Sequence, residues 1–119
     1  MQPPLSRNDV VLVRFPFTDL SAETVRPALI VGRVTGNDVV VAFVTSRIGG
    51  NGRQGRQREE HLMDPMDPEF LMTGFRAPSA IRLNKLATLD RALIRRRIGR
   101  IGAGTERAVA SCLRYVFAL

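Results

Sequence analysis

The chain has one cysteine, one histidine and one lysine in 119 residues, and no apolar run longer than Val39 to Val44. Each scarcity excludes something. A single cysteine, Cys112, cannot close an internal disulfide and fits a reducing compartment. The apolar run falls far short of the ~20 residues that a membrane-spanning helix needs. Residues 1–7 hold two prolines and no apolar block, so no signal peptide is expected and the cytoplasm is the expected location. With His61 alone, no Cys/His/Asp/Glu set stands at metal-ligand spacing. Asp64 and Asp67 each precede a proline (DPMDP), which reads as a turn signal rather than a magnesium site. The glycine-rich stretch at 49–55 lacks the Lys-Ser/Thr that completes a phosphate-cradling loop, and no nucleophile-elbow motif is present. The expectation is a chemistry without metal or cofactor.

What is abundant is arginine. Seventeen of the eighteen basic residues are arginine, and against eleven acidic ones they give a formal net charge of +7. Such a chain is drawn toward polyanions, and each guanidinium can grip a phosphate through two hydrogen bonds. A GC-rich coding sequence accounts for arginine over lysine but not for the net charge. At this length one domain is expected, spanning 1–119, and the 45% hydrophobic content suffices for a core.

The pattern along the chain is that of a β-rich fold. Residues 9–17 (DVVLVRFPF) are β-branched and aromatic up to a proline, and predict a first strand. Residues 18–25 form a polar connection. A second strand is predicted over 26–34, with Pro27 at its start, where a missing N–H is tolerated. Gly36-Asn37-Asp38 marks a short turn, and 37–46 makes a third strand. Strands two and three are apolar at nearly every position, which predicts burial on both faces. Over 47–60 apolar periodicity stops and glycine and arginine alternate with polar residues, predicting a mobile basic loop. Irregular structure is expected over 64–78, with a short turn near 69–72. Residues 79–86 alternate, with Ile81 and Leu83 on one side and Arg82 and Asn84 on the other. One helical turn is expected within 88–95, then a last strand near 97–101. Val109, Cys112, Leu113, Val116 and Phe117 recur at helical spacing, with Thr105 as the expected cap. About five strands followed by one helix give a mainly β fold: a small, strongly bent antiparallel sheet or barrel with a C-terminal helix packed on it.

The residues left to carry chemistry are arginines and hydroxyls at strand ends. Arg26 lies ten residues before Gly36 and Thr45 eight after Asn37, so a hairpin through that turn brings both to one rim. A guanidinium beside a hydroxyl can hold a phosphate and stabilise charge building on it. The same pair also fits a surface arginine and a threonine that caps a turn, and spacing does not separate the two readings. His61 reads as a loop-edge residue and Cys112 as core. Phe15 and Phe17 read either as core or as stacking surfaces, and Arg95 to Arg97 either as phosphate contacts or as a solvated strand edge.

Read together, FPFTDLS, VRPALIVGR, VVVAFVTS and PSAIRLNKLATLDRALIRRRIGRI resemble the MazF/PemK family of type II toxin–antitoxin endoribonucleases over nearly the whole chain. The RPAL opening of the second strand and KLATLD later are the most distinctive parts. The resemblance implies an SH3-like barrel of the CcdB/MazF type, a symmetric homodimer and a cognate antitoxin partner. It implies metal-independent cleavage of single-stranded RNA, in which the ribose 2′-hydroxyl attacks phosphorus and leaves a 2′,3′-cyclic phosphate and a 5′-hydroxyl. The catalytic pair would be Arg26 and Thr45, and the RNA contacts Phe17, Asp19, Glu23, Ser46, Arg82 and Asn84. Some family members carry aspartate where this chain has Asn84. Asparagine cannot act as a base, so either Asp19 or Glu23 takes the acid/base role or activity is reduced. The competing readings are a gyrase-poisoning CcdB-like toxin, which needs no phosphate-activating rim, and a catalytically weak relative that binds RNA or antitoxin.

Overall fold

The computed structural model describes residues 4–15, 24–48 and 58–119. Among these residues, six strands and one α-helix follow each other as β1 (Asp9–Phe15), β2 (Thr24–Ile30), β3 (Asp38–Thr45), β4 (Glu60–Met63), β5 (Ser79–Asp90), β6 (Ile94–Arg100) and α1 (Ala103–Val116). Short 3-10 turns lie at Leu71–Thr73, between β4 and β5, and at Arg91–Leu93, between β5 and β6. The strands form one antiparallel sheet in the order β4-β5-β3-β2-β1-β6. It is bent but not closed, so the bent-sheet form of the expected fold is the one observed. No helix among the described residues is long and apolar enough to cross a membrane.

The double-sided burial expected for strands two and three is present. Leu29, Ala42 and Val44 pack with Val109 and Cys112 of α1 on one face. Ala28, Ile30, Val39 and Val41 pack on the other with Val11, Val13, Leu89 and Ile94. Among the described residues, no α-helix residue belongs to that second cluster. Its members come from β1, β2, β3, the far half of β5 and the start of β6, so the sheet covers this face by curling over itself.

Several boundaries differ from expectation, each for a physical reason. Strand β2 begins at Thr24 and ends at Ile30 rather than Val34. Val31 still donates to the Val40 carbonyl, but the hairpin closes through mutual Thr35–Asp38 bonds of 3.2 and 3.0 Å. The residues between loop out of register. Gly36 takes φ +59° at the first central position of that turn, a conformation that suits glycine. Strand β4 lies where the sequence shows only the end of a basic loop. Four residues are too few to display a period, yet Glu60 and Met63 are buried. Residues 49–57 of that loop lie outside the described residues.

The far half of β5, 87–90, is strand, and the expected helical turn shrinks to Arg91–Leu93, capped by the Asp90 carboxylate accepting from the Ala92 N–H at 2.8 Å. Strand β6 therefore starts at Ile94, not Arg97. The cap of α1 also differs. Gly102 is the N-cap and Thr105 lies inside the first turn. The Glu69 carboxylate, reaching across from the loop before β5, accepts from the Gly104 and Thr105 N–H groups at 2.9 and 2.8 Å and from the Thr105 hydroxyl at 2.6 Å. These donors hold the Glu69 carboxyl below its usual range, the Thr105 hydroxyl contributing most. A methyl at Gly102 would stand 2.5 Å from the Glu69 carboxyl carbon, so this cap needs glycine there. On the apolar stripe Val109 and Cys112 are buried, while Phe117, beyond the last turn, is exposed. Burial pushes the Cys112 thiol up, in keeping with a core residue.

Candidate active site

Strand register decides which side chains meet. In an antiparallel pair, opposed residues share a face. Strands β2 and β3 pair as Ala28↔Phe43, Leu29↔Ala42 and Ile30↔Val41. Continued by two residues, the same register sets Arg26 across from Thr45. Arg26 also faces Val13 of β1. On the other side of β3, Thr45 pairs with Ala80 and Phe43 with Arg82, and Arg82 in turn pairs with Glu60 of β4. Arg26, Thr45, Arg82 and Glu60 thus lie on one face, the curled face that carries the second apolar cluster, at the end of the sheet where that cluster stops.

Arg26 is exposed and Thr45 half-buried. The Thr45 Oγ1 accepts the Arg47 N–H at 3.1 Å, which fixes the hydroxyl oxygen and leaves its proton to donate. Arg82 is more constrained. Its Nε donates to Glu60 Oε2 at 3.1 Å, and the Glu60 side chain is only 3% exposed. A buried carboxylate therefore aims this guanidinium, and among the described residues the remaining N–H donors of Arg82 face no other acid.

Asn84 owes its position to an irregularity. The β3–β5 register jumps from Ala42↔Leu86 to Phe43↔Arg82, so Leu83, Asn84 and Lys85 bulge from the ladder. Within the bulge the Leu83 N–H donates to the Glu59 carbonyl at 2.9 Å and Asn84 Nδ2 to Glu59 Oε2 at 3.1 Å. Because the amide nitrogen is committed to Glu59, Asn84 Oδ1 points as an acceptor. It is buried and has no partner among the described residues.

The other sequence candidates separate. Ser46 is exposed and, one residue past Thr45, turns to the opposite side of the sheet, where it lines a groove with Pro27 and Arg96. Phe17, Asp19 and Glu23 lie outside the described residues. His61 pairs with Ile81 and so falls on the helix side, away from Arg82. Burial lowers its pKa, opposed by the nearby Asp67 and Glu69 carboxylates. The arginine run splits: Arg97 and Arg100 pair with the fully buried Asp9 at 3.6 and 2.7 Å, while Arg96 lines the groove. Sequence reading missed the structural roles of Asp9, Glu59 and Glu60. The available signal was a pair of acids, Glu59-Glu60, ending an otherwise basic stretch.

As chemistry, the face offers one exposed and one anchored guanidinium with a hydroxyl donor beside them. Arginine stays protonated near neutral pH, so it neutralises phosphate charge and does not serve as a base.

Comparison with known proteins bears on the fold and the family. No curated protein sequence matches the chain. The Mycobacterium tuberculosis toxin MazF-mt6 superposes with a TM-score of 0.69 at 22% identity, over 93% of this chain and 97% of that one. An endoribonuclease solved in complex with its cognate antitoxin, from a mycobacterial species, gives 0.71 at 17% identity, over 98% and 97%. MazF in a MazE–MazF complex of Deinococcus radiodurans gives 0.68 at 20% identity, over 97% of each. These likenesses share the fold. The model of the PemK-like, MazF-like toxins of type II toxin–antitoxin systems matches residues 6–117, and the chain belongs to that family.

Proposed function

We propose that the chain is the toxin of a type II toxin–antitoxin pair that cuts single-stranded RNA in the cytoplasm, acting as a homodimer restrained by a cognate antitoxin. The observation that carries the reading is the Arg26–Thr45 juxtaposition across β2 and β3, with Arg82 two residues along the same face. Membership of the family supports it, as do the endoribonuclease and antitoxin-bound states of proteins with this fold.

In this reading the ribose 2′-hydroxyl attacks the adjacent phosphorus. The oxygen–phosphorus bond to the next nucleotide breaks, leaving a 2′,3′-cyclic phosphate and a 5′-hydroxyl. Arg26 neutralises the charge on the five-coordinate phosphorus. Thr45 donates its hydroxyl proton to a phosphate oxygen, its own oxygen being steadied by the Arg47 N–H. Arg82, aimed by Glu60, grips a phosphate at the neighbouring position. Asn84 is a further RNA contact beside Arg82; the proton of the 2′-hydroxyl goes to a carboxylate, for which Asp19 and Glu23 stand nearest in sequence, and the leaving 5′-oxygen takes up a proton from solvent. Phe17 and Ser46 contact flanking nucleotides.

End-labelled single-stranded RNA incubated in EDTA with wild type, Arg26→Ala and Thr45→Ala tests this. The expected result is cleavage by wild type, with each variant slowed by roughly 10²–10³-fold. Wild-type rates in Arg26→Ala would remove the reading. A gyrase poison would leave every RNA intact.

A further inference from the structure

The sheet's opposite face carries a groove that the cleavage rim does not use. Alternation along β1 and β2 turns Leu12 and Pro27 away from Arg26, and Ser46 away from Thr45. With Ile98 of β6 they floor a groove of about 590 Å³, walled by the Arg76 and Arg96 side chains. That volume sits within the roughly 300–1,000 Å³ of small-molecule sites. Both arginines are exposed, and neither has a carboxylate partner among the described residues. Arg96 thereby differs from Arg97 and Arg100, which Asp9 engages.

Two features select the occupant. Two cations over an apolar floor suit a flat, weakly polar ring attached to an anion, which is a nucleotide. The groove also lies back to back with the cleavage rim, since Pro27 adjoins Arg26 and Ser46 adjoins Thr45. Rim and groove are the two sides of the same strand ends. We infer that this groove holds a nucleotide flanking the cleaved phosphate, its base against Leu12, Pro27 and Ile98 and its phosphate between Arg76 and Arg96, with the Ser46 hydroxyl as a further donor. The assignment rests on the RNA-cleaving reading. It adds that substrate selection extends past the cleaved bond onto the opposite face of the sheet.

The test uses the full chain and the double variant Arg76→Ala/Arg96→Ala, whose altered side chains are exposed. The cleaved position is first located on a mixed-sequence RNA with wild type. Oligonucleotides around it, made uncleavable by a single 2′-deoxy substitution, are then trimmed nucleotide by nucleotide from each end. Wild type should lose about tenfold in affinity when trimming removes the groove-bound nucleotide, whereas the double variant should bind long and trimmed oligonucleotides alike. For the long oligonucleotide the slope of log K against log salt should fall by about 0.7 in the variant, the value for one lost phosphate contact. Three results overturn the assignment: unchanged affinity for long RNA, an equal loss at every length, or a changed oligomeric state with RNA affinity intact, which would make the groove a protein contact. Failure of wild type to cut any RNA would instead remove the underlying reading, so the two failures are distinguishable.

Discussion

Replacing Arg82 by methionine should destabilise the protein far more than loss of an exposed ion pair. Its partner Glu60 has a side chain only 3% exposed, whereas that of Arg82 is 23% exposed. Removing the guanidinium strands a charged carboxylate out of water, and breaking a buried pair in this way costs roughly 3–5 kcal/mol. Glu60 has a further interaction and Arg82 keeps some contact with solvent, which brings the expected cost below that range, to about 2–3 kcal/mol. Glu60→Gln keeps an acceptor for Nε but loses the charge, and should cost about 1.5 kcal/mol. In the double variant no charge is left unpaired. The combined loss should therefore fall short of additivity by about 1–2 kcal/mol. Urea unfolding at fixed protein concentration measures this. At a slope near 1.5 kcal/mol/M, Arg82→Met should lower the midpoint by roughly 1–2 M. The reasoning fails if Arg82→Met costs less than ~0.5 kcal/mol, as an exposed pair would, or if the two single effects simply add. A separate arm concerns function: Glu60→Gln should raise KM for RNA with little change in kcat, because Arg82 keeps its charge and loses its aim.

Two further outcomes depend on carboxylates. Glu69 has a lowered pKa in the folded chain, so its stabilising contribution is present above the unfolded value near 4.5 and is lost as pH falls through the folded value. Melting temperatures of wild type and Glu69→Gln should therefore differ at pH 7 and converge as pH drops through the acidic range; a gap that stays constant to pH 3 would refute the cap as described. Asn84→Asp would set a second carboxylate against Glu59, at the 3.1 Å now spanned by the amide. One of the two acids should then titrate above its usual range. A raised folded pKa makes stability fall as pH rises from the unfolded carboxylate value through the raised one. A pH profile of unfolding parallel to wild type would contradict this.

How much was legible follows from what each feature depends on. The first three strands are local: β-branched runs, a proline and Gly36-Asn37 define them, and the opposed placement of Arg26 and Thr45 follows from counting away from that turn. Strand β5 was legible over the stretch that alternates, 79–86, and not over its far half, 87–90. Its bulge at Leu83–Lys85 is held by Glu59, a contact across strands that no local pattern encodes. Strand β4 hid because four residues, Glu60-His61-Leu62-Met63, show no period, and the partner that Glu60 meets, Arg82, is twenty-two residues away. Thr105 looked like a cap because local rules favour hydroxyls there, but Glu69, thirty-six residues earlier, takes that role. The arginine run at 95–97 could not be divided in advance, since Asp9 and the groove lie on different faces of the strand.

The central claim is that the Arg26–Thr45 rim cuts RNA through its own 2′-hydroxyl. The most direct measurement compares cleavage by wild type, in EDTA, of an RNA oligonucleotide and the same oligonucleotide with a single 2′-deoxyribose 5′ to the cleaved phosphate. The account predicts a 2′,3′-cyclic phosphate product from the first and no cleavage at that position in the second. Cleavage of the deoxy-substituted bond at a comparable rate would contradict it.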